Sequence, residues 1–435
     1  MSTLALARDP EAAQEWRANW KVVPAAALCL AFATVPYVTV GIFMLPLQQE
    51  FGWSRTAISI SVPISGVTIA LLSPFVGRLI DRVGARRVGL TGGLIVCILY
   101  AMLSRTTASI ASYWMIWAFL SLGIALSSPL VWTAGITSRF RRRRGTALAL
   151  TFCGSSLSQA LVGPAGVAAI ETFGWRGAYV GIAALMAAAT LPIAWLCFHD
   201  ANDLARLRRR EGRDRSASGG DVATSVGEGL TVSETFRTGH FWLMAGAVLL
   251  GSSAVLAAIV HFVPMQIDRG FTPMMAASAA VGIPVAAAVG KLASGFLLDR
   301  ISAPIVAGAI FLFAALAFLL LMTGVGATFG GAVLVAALLG IAGGAEVDVI
   351  AFLTARYFGL RSYGGIYGIF FGIYQLGISI SPVALSRVRD EWTSYDPAFP
   401  VLLSCCLIGA ILLFAMQALQ IPKSGGLFPD SPRPS

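Results

Sequence analysis

The sequence predicts an all-α membrane protein with twelve transmembrane helices in two six-helix, pseudo-symmetric bundles. Three observations predict it. Of the 435 residues, 57% are apolar and only 12% charged, against roughly 25% charged in an ordinary soluble chain. The apolar residues fall in runs long enough to cross ~30 Å of hydrocarbon, which takes about 20 helical residues. The two halves of the chain also repeat each other with a constant shift of 218 residues.

The runs cover 22–47, 56–79, 88–105, 109–137, 145–170, 175–198, 241–266, 273–298, 303–325, 328–355, 363–386 and 398–421. Backbone groups in lipid have no water to bond, so each run must be a helix. Turn residues separate them, as in Phe51-Gly52-Trp53-Ser54 and Asp268-Arg269-Gly270. The resulting organisation is an N-terminal segment 1–21, a bundle 22–198, a basic linker 199–240, a bundle 241–421 and a tail 422–435. The linker carries Arg206, Arg208, Arg209, Arg210, Arg213 and Arg215, then Ser216-Ala217-Ser218-Gly219-Gly220. It reads as a solvated connector held near an anionic leaflet, and so membrane lipid is an expected partner.

Charge gives the orientation. With the N-terminus inside, the inner segments hold 24 of the 31 Lys and Arg and the outer loops hold six. Cytoplasmic loops carry such an excess, so both termini are expected in the cytoplasm of a cell membrane. The net charge of +10 is explained this way without a nucleic-acid partner. Cys29, Cys97, Cys153, Cys197, Cys405 and Cys406 all lie in apolar runs and show neither disulfide nor metal spacing. The polar start, with Arg8, Glu11, Glu15 and Arg17, is no signal peptide.

The repeat is read across turns, loops and helices. Pro46 corresponds to Pro264, Gly52 to Gly270, Gly77 to Gly295, Asp81 to Asp299 and Arg82 to Arg300. Phe140, Arg143 and Gly154 correspond to Phe358, Arg361 and Gly372. Six spans per half give a parallel repeat, and carriers built from repeats bind substrate near the bilayer midplane.

The second and third runs are joined by Gly77-Arg78-Leu79-Ile80-Asp81-Arg82-Val83-Gly84-Ala85-Arg86-Arg87. This resembles the loop signature of the major facilitator superfamily, with Ala85 where Arg is usual. Gly295-Phe296-Leu297-Leu298-Asp299-Arg300 resembles a second copy. The resemblance implies the major facilitator fold and a conformational latch made by Gly77, Asp81, Arg82, Arg86, Asp299 and Arg300. A carboxylate at a helix end facing guanidinium groups makes charge-assisted hydrogen bonds that can break as bundles rock. Positive-inside topology alone is the other reading of these charges.

Within the superfamily the chain is similar to the monocarboxylate-porter and oxalate–formate-antiporter branch. The residues behind this are Phe140-Arg141-Arg142-Arg143-Arg144-Gly145-Thr146-Ala147-Leu148-Ala149, Gly174-Trp175-Arg176-Gly177-Ala178-Tyr179, His261-Phe262-Val263-Pro264 and Lys291. The acidic-Gly pattern of the porters' first span is missing.

Ionisable residues at mid-span are functional by default. His261, Lys291, Glu346 and Asp348 qualify. Eight residues of helix separate Lys291 from Asp299, and eight separate Asp348 from Arg356, so both sit about 12 Å deep. Lys291 either holds a substrate carboxylate, as the resemblance implies, or pairs with Asp348 or Glu346. The two uses can alternate. A cavity carboxylate is a natural proton carrier, and His titrates near neutrality, so Glu346, Asp348 and His261 are the proton-coupling candidates. Glu346 and Asp348 stand about 200° apart on the helix and cannot both face one partner. A structural ion pair remains the alternative.

Tyr374, Gln375, Tyr37, Trp132 and Gln159 complete the substrate-binding candidates, with Tyr367, Phe370, Phe371, Phe43 and Ser155 nearby in sequence pattern. Gln375 is neutral, so one cation is available and a monoanion is favoured; the aromatic content suits an aromatic acid. The expected function is proton-coupled uptake of a monocarboxylate or aromatic carboxylate by a monomeric carrier without a cofactor. Organic-anion exchange, efflux of an amphipathic compound and a non-transporting solute sensor are the alternatives. No diphosphate, metal or nucleotide motif supports an enzyme.

Overall fold

The computed structural model describes residues 10–199 and 229–419. The basic stretch Arg206–Gly220 of the linker and the tail lie outside the described residues. The chain divides into two compact units, Met1–Glu228 with Leu360–Ile369, and Gly229–Gly359 with Phe370–Ser435.

The first unit runs α1 (Pro10–Asn19), α2 (Val22–Ala33), α3 (Val35–Phe51), α4 (Arg55–Ser59), α5 (Ser61–Val83), α6 (Ala85–Met102), α7 (Ile110–Leu126), α8 (Pro129–Thr137) and α9 (Arg144–Cys197). Local sequence explains the breaks. Ser128 is extended (φ −65°, ψ 167°) because a residue before proline avoids the helical region, and Pro129 then opens α8. Gly52 ends α3 in the left-handed conformation (φ 69°), which costs glycine nothing. Within α9 the runs 145–170 and 175–198 are two helices that meet at a kink, where Gly174 leaves the helical region (φ 67°, ψ 167°).

The second unit runs α10 (Val232–Phe236), α11 (Gly239–Asp268), α12 (Pro273–Ala280), α13 (Gly282–Leu298), α14 (Ala303–Met322), α15 (Phe329–Phe358), α16 (Tyr363–Trp392) and α17 (Phe399–Ala418). The first residues of α16 belong to the first unit. Threonine hydroxyls cap four of these helices: Thr231 accepts from Glu234, Thr238 from Phe241, Thr272 from Met275 and Thr328 from Gly331. Each supplies an acceptor to an amide that has no partner inside its helix.

Among the described residues, eleven helical stretches are long and apolar enough to cross a membrane. They follow the sequence-read runs, with α9 contributing one stretch, Ala165–Cys197. The repeat is visible in the backbone. Pro46 and Pro264 both lie inside helices, and Gly52 and Gly270 both turn with positive φ.

Each unit also ties its leading segment to the loop after its fourth span. In the first unit, the Glu15 carboxylate accepts from the Arg141 amide at 2.5 Å and the Arg142 amide at 3.2 Å. Glu11 pairs with the Arg142 guanidinium at 2.5 Å, and Trp16 packs on Phe140. Burial raises the Glu15 carboxyl above its ordinary range, against the opposing pull of the loop amides. In the second unit, the Leu230 amide donates to the Phe358 carbonyl at 2.9 Å. Phe358 is the repeat partner of Phe140, and both are fully buried. Glu15→Ala should speed amide hydrogen exchange at Arg141 and Arg142 by about tenfold, the loss of roughly 1.4 kcal/mol of charge-assisted bonding. Unchanged exchange, read by mass spectrometry, would remove this role for α1.

Candidate functional site

In the second unit, α13 and α15 cross with their backbones in contact. A Cβ added at Gly344 would lie 2.3 Å from the Ala287 carbonyl oxygen, and one at Gly340 would lie 2.3 Å from that of Ile283. Small residues allow such approach between helices in lipid, where packing rather than water drives association. One turn beyond Gly344, the short Asp348 side chain therefore reaches α13. The Ser294 hydroxyl donates to Asp348 Oδ2 at 2.9 Å and also lies 3.0 Å from the Lys291 carbonyl. The Lys291 ammonium acts electrostatically on the same carboxylate. Asp348 is 1% exposed. The carboxylate and hydroxyl are buried, and the half-buried Lys291 completes one polar cluster with them.

Glu346 faces the other side of α15. It lines an apolar cleft with Val248 and Ser252 of α11, Phe311 of α14 and Leu413 of α17. Its Oε1 and the Ser252 hydroxyl are buried without a hydrogen-bond partner among the described residues. Tyr374 of α16 is near enough to act electrostatically on it, and Tyr374 is stacked on Phe371 at 5.9 Å. Gln375 is half-buried, and its carbonyl accepts from the Ser379 hydroxyl at 2.7 Å.

His261 is bound at both ring nitrogens. Nδ1 lies 3.1 Å from the Tyr395 hydroxyl and Nε2 lies 3.0 Å from the Pro382 carbonyl. Nε2 must donate to that carbonyl, so Nδ1 accepts from Tyr395 in the neutral ring. Outside the spans, burial and the Asp268 charge raise the Tyr395 phenol, which keeps that donor protonated.

In the first unit, the Tyr37 hydroxyl bonds Ser65 at 2.8 Å. Trp132 donates to the Ser127 carbonyl at 2.8 Å and packs edge-on against Phe198. It lines a cleft with Cys29, Cys97 and Thr190. The Gln159 side chain lies outside the described residues.

The latch candidates divide. Asp81 accepts from the Gly364 amide on Oδ1 and the Gly365 amide on Oδ2, both at 2.8 Å. These are free amides at the start of α16, where a negative charge is favoured. The fit requires glycine, since a Cβ on Gly77 would lie 1.8 Å from the Gly364 carbonyl oxygen. The sequence expectation was guanidinium partners for Asp81; its hydrogen bonds among the described residues come from amides. Arg86 donates to the Trp195 carbonyl and covers that indole at 4.8 Å. Arg82 is exposed. Arg300 lies over Phe296 at 3.5 Å, and Asp299 is half-buried.

Sequence reasoning missed Ser294, Ser252 and Arg144. Serine gives no signal of its own in an apolar helix. Arg144 read as one of a basic run, yet it is 2% exposed and its guanidinium caps the Phe140 and Thr137 carbonyls, each at 3.0 Å.

The family profile described as Major Facilitator Superfamily matches residues 26–382. Mouse "Monocarboxylate transporter 11" is 27% identical over 359 residues, covering 79% of this chain and 75% of that protein. Human "Monocarboxylate transporter 2" is 27% identical over 171 residues, covering 39% of this chain; the match spans only 35% of that relative. The fold is similar to that of the proton:xylose symporter XylE bound to 6-bromo-6-deoxy-D-glucose, with TM-score 0.69, 15% identity, and 91% and 95% of the two chains covered.

Gly344→Ala should force α13 and α15 apart at a cost of ~1–3 kcal/mol, seen as a lower melting temperature in detergent. An unchanged melting temperature would show that the crossing relaxes freely. Asp81→Asn keeps one good acceptor and loses the charge, and should cost ~0.5–2 kcal/mol of cap stability. Faster exchange at the Gly364 and Gly365 amides would report it, and Asp81→Ala should exceed it.

Proposed function

The chain belongs to the major facilitator superfamily and is a multi-pass membrane transporter rather than an enzyme; from that premise we propose that it couples protons to the uptake of a small monocarboxylate or aromatic carboxylate. The observation that carries this reading is the Lys291–Ser294–Asp348 cluster midway along two apolar helices, with Ser294 and Asp348 buried and Lys291 half-buried. An ammonium in the field of a carboxylate offsets its charge, so the two together are tolerable in a low-dielectric interior. A substrate carboxylate that joins the ammonium beside Asp348 brings a second negative charge, which must be balanced. A proton arriving with the substrate supplies that balance. The similarity to proteins named monocarboxylate transporters supports a monoanionic substrate.

Tyr374 and Gln375 on α16 are the second unit's proposed groups for the rest of the substrate; Tyr37, Trp132 and Gln159 are the first unit's proposed substrate-binding groups. Asp81 at the start of α16 is the proposed conformational latch, with Gly77 as the residue that permits its approach and Arg82, Arg86, Asp299 and Arg300 as the charges around it. His261, satisfied at both nitrogens, is assigned to holding α11 against α16 at the end near Tyr395. The charge distribution supports cytoplasmic termini in a cell membrane.

Proteoliposomes holding the purified chain test this reading with a panel of labelled carboxylates, with and without an imposed proton gradient. At least one acid should accumulate when the gradient is present. Lys291→Gln should abolish that uptake while the protein still reaches the membrane. Transport by this variant with unchanged apparent affinity would remove the ammonium from the site. Gradient-independent exchange by the wild type would instead make the chain an anion exchanger.

A further inference from the structure

We propose that Glu346, and not Asp348, takes up and releases the coupled proton, at a site on the far side of α15 from the anion cluster. This rests on the proton-coupled reading above and assigns its proton.

The two carboxyls stand two residues apart on one helix and live in opposite surroundings. Asp348 receives the Ser294 hydroxyl and the field of Lys291. Protonating it would remove a negative charge from the field of that ammonium, a penalty that protonating Glu346 does not carry. Its Oδ1, although without a hydrogen bond among the described residues, remains in the field of a cation. Asp348 is the fixed counter-ion.

Among the described residues, no other charged side chain lines the Glu346 cleft, whose walls are apolar apart from Ser252. Oε1 and the Ser252 hydroxyl each lack a close hydrogen-bond partner among the described residues, and Ser252 is the polar side chain of the cleft wall that acts on this carboxyl. The titratable groups that act on it from the packed helices are the Tyr374 phenol and the Cys406 thiol, both neutral near pH 7 in their ordinary state. An ionised carboxyl in such a place costs far more than a protonated one. At 5% exposure it is shut from solvent in this conformation, as a group carrying a proton across must be at one stage. The Ser252 hydroxyl and the Tyr374 phenol are then the groups positioned to exchange hydrogen bonds with it when it gains or loses that proton.

The internal repeat excludes a packing requirement for the acid. The shift of 218 residues maps Glu346 onto Ser128. It also maps the helices around the Glu346 cleft, α11, α14, α15 and α17, onto those around the first unit's cleft, which is lined by Cys29, Gly93, Trp132 and Thr190 and holds no carboxyl. The same four-helix arrangement therefore closes without one. The glutamate is an addition to one half, on the unit that also holds Lys291.

The test uses reconstituted wild type, Glu346→Gln and Glu346→Asp. Glu346→Gln mimics the permanently protonated acid. It should keep substrate exchange at equal pH, while its gradient-driven accumulation ratio falls to one, the value without a gradient. Glu346→Asp should restore a gradient response. Accumulation by Glu346→Gln equal to wild type overturns the proposal, and the reading under "Proposed function" survives. If the wild type itself ignores the gradient, both fall together. A second measurement needs no variant: a lipid-soluble carbodiimide, which reacts with protonated carboxyls in apolar surroundings, should modify Glu346, and less so as pH rises. A mass-mapped adduct on Asp348 with Glu346 unmodified overturns the assignment even if the variants fail to fold.

Discussion

A charge without a counter-charge is the one thing the interior of this bundle cannot hold cheaply, and the arrangement of α13 and α15 answers to that constraint. Asp348 has a short side chain. It meets Ser294 only because Gly344 and Gly340 let the two backbones touch. A wider crossing would leave a carboxylate and an ammonium each isolated in an apolar medium. The glycines are therefore part of the electrostatics: they set the distance over which the charges are balanced.

The same economy explains the difference between the halves. Both units carry a four-helix cleft, both tie a leading segment to the loop ahead of a span, and both turn through a positive-φ glycine after their first long helix. The first unit fills its cleft with thiols, an indole and hydroxyls. The second replaces one of those positions with Glu346 and adds the Lys291–Asp348 cluster. A shared scaffold has kept its packing, while its ionisable chemistry is concentrated in one copy.

The fold was legible because its signals are physical and repeated: long apolar runs, turn glycines and a constant shift. Span limits were read to within a few residues in most cases. The break between the fifth and sixth runs was legible too, since Gly174 leaves the helical region between them. Within the candidate site, Lys291, Glu346 and Asp348 were readable from rarity alone. Their division between two faces followed from the helical angle. Ser294 and Ser252 were invisible, because serine bonds its own helix often enough that nothing in the sequence marks the two that do otherwise. Asp81 was found by its motif, but its amide partners lie 283 and 284 residues away, beyond any local pattern.

The glycine seam has a consequence for anyone who wishes to purify this carrier for biophysics. Replacing helical glycine by alanine is a common way to harden a fragile protein, gaining up to about 1 kcal/mol per position. Here the glycines fall into two groups. At Gly340, Gly344 and Gly290 the added methyl would run into a facing backbone. At Gly41, Gly181 and Gly330 nothing lies within 4 Å of it. A thermostabilised form should be built from the second group alone, leaving the seam that brings Asp348 to Lys291 untouched.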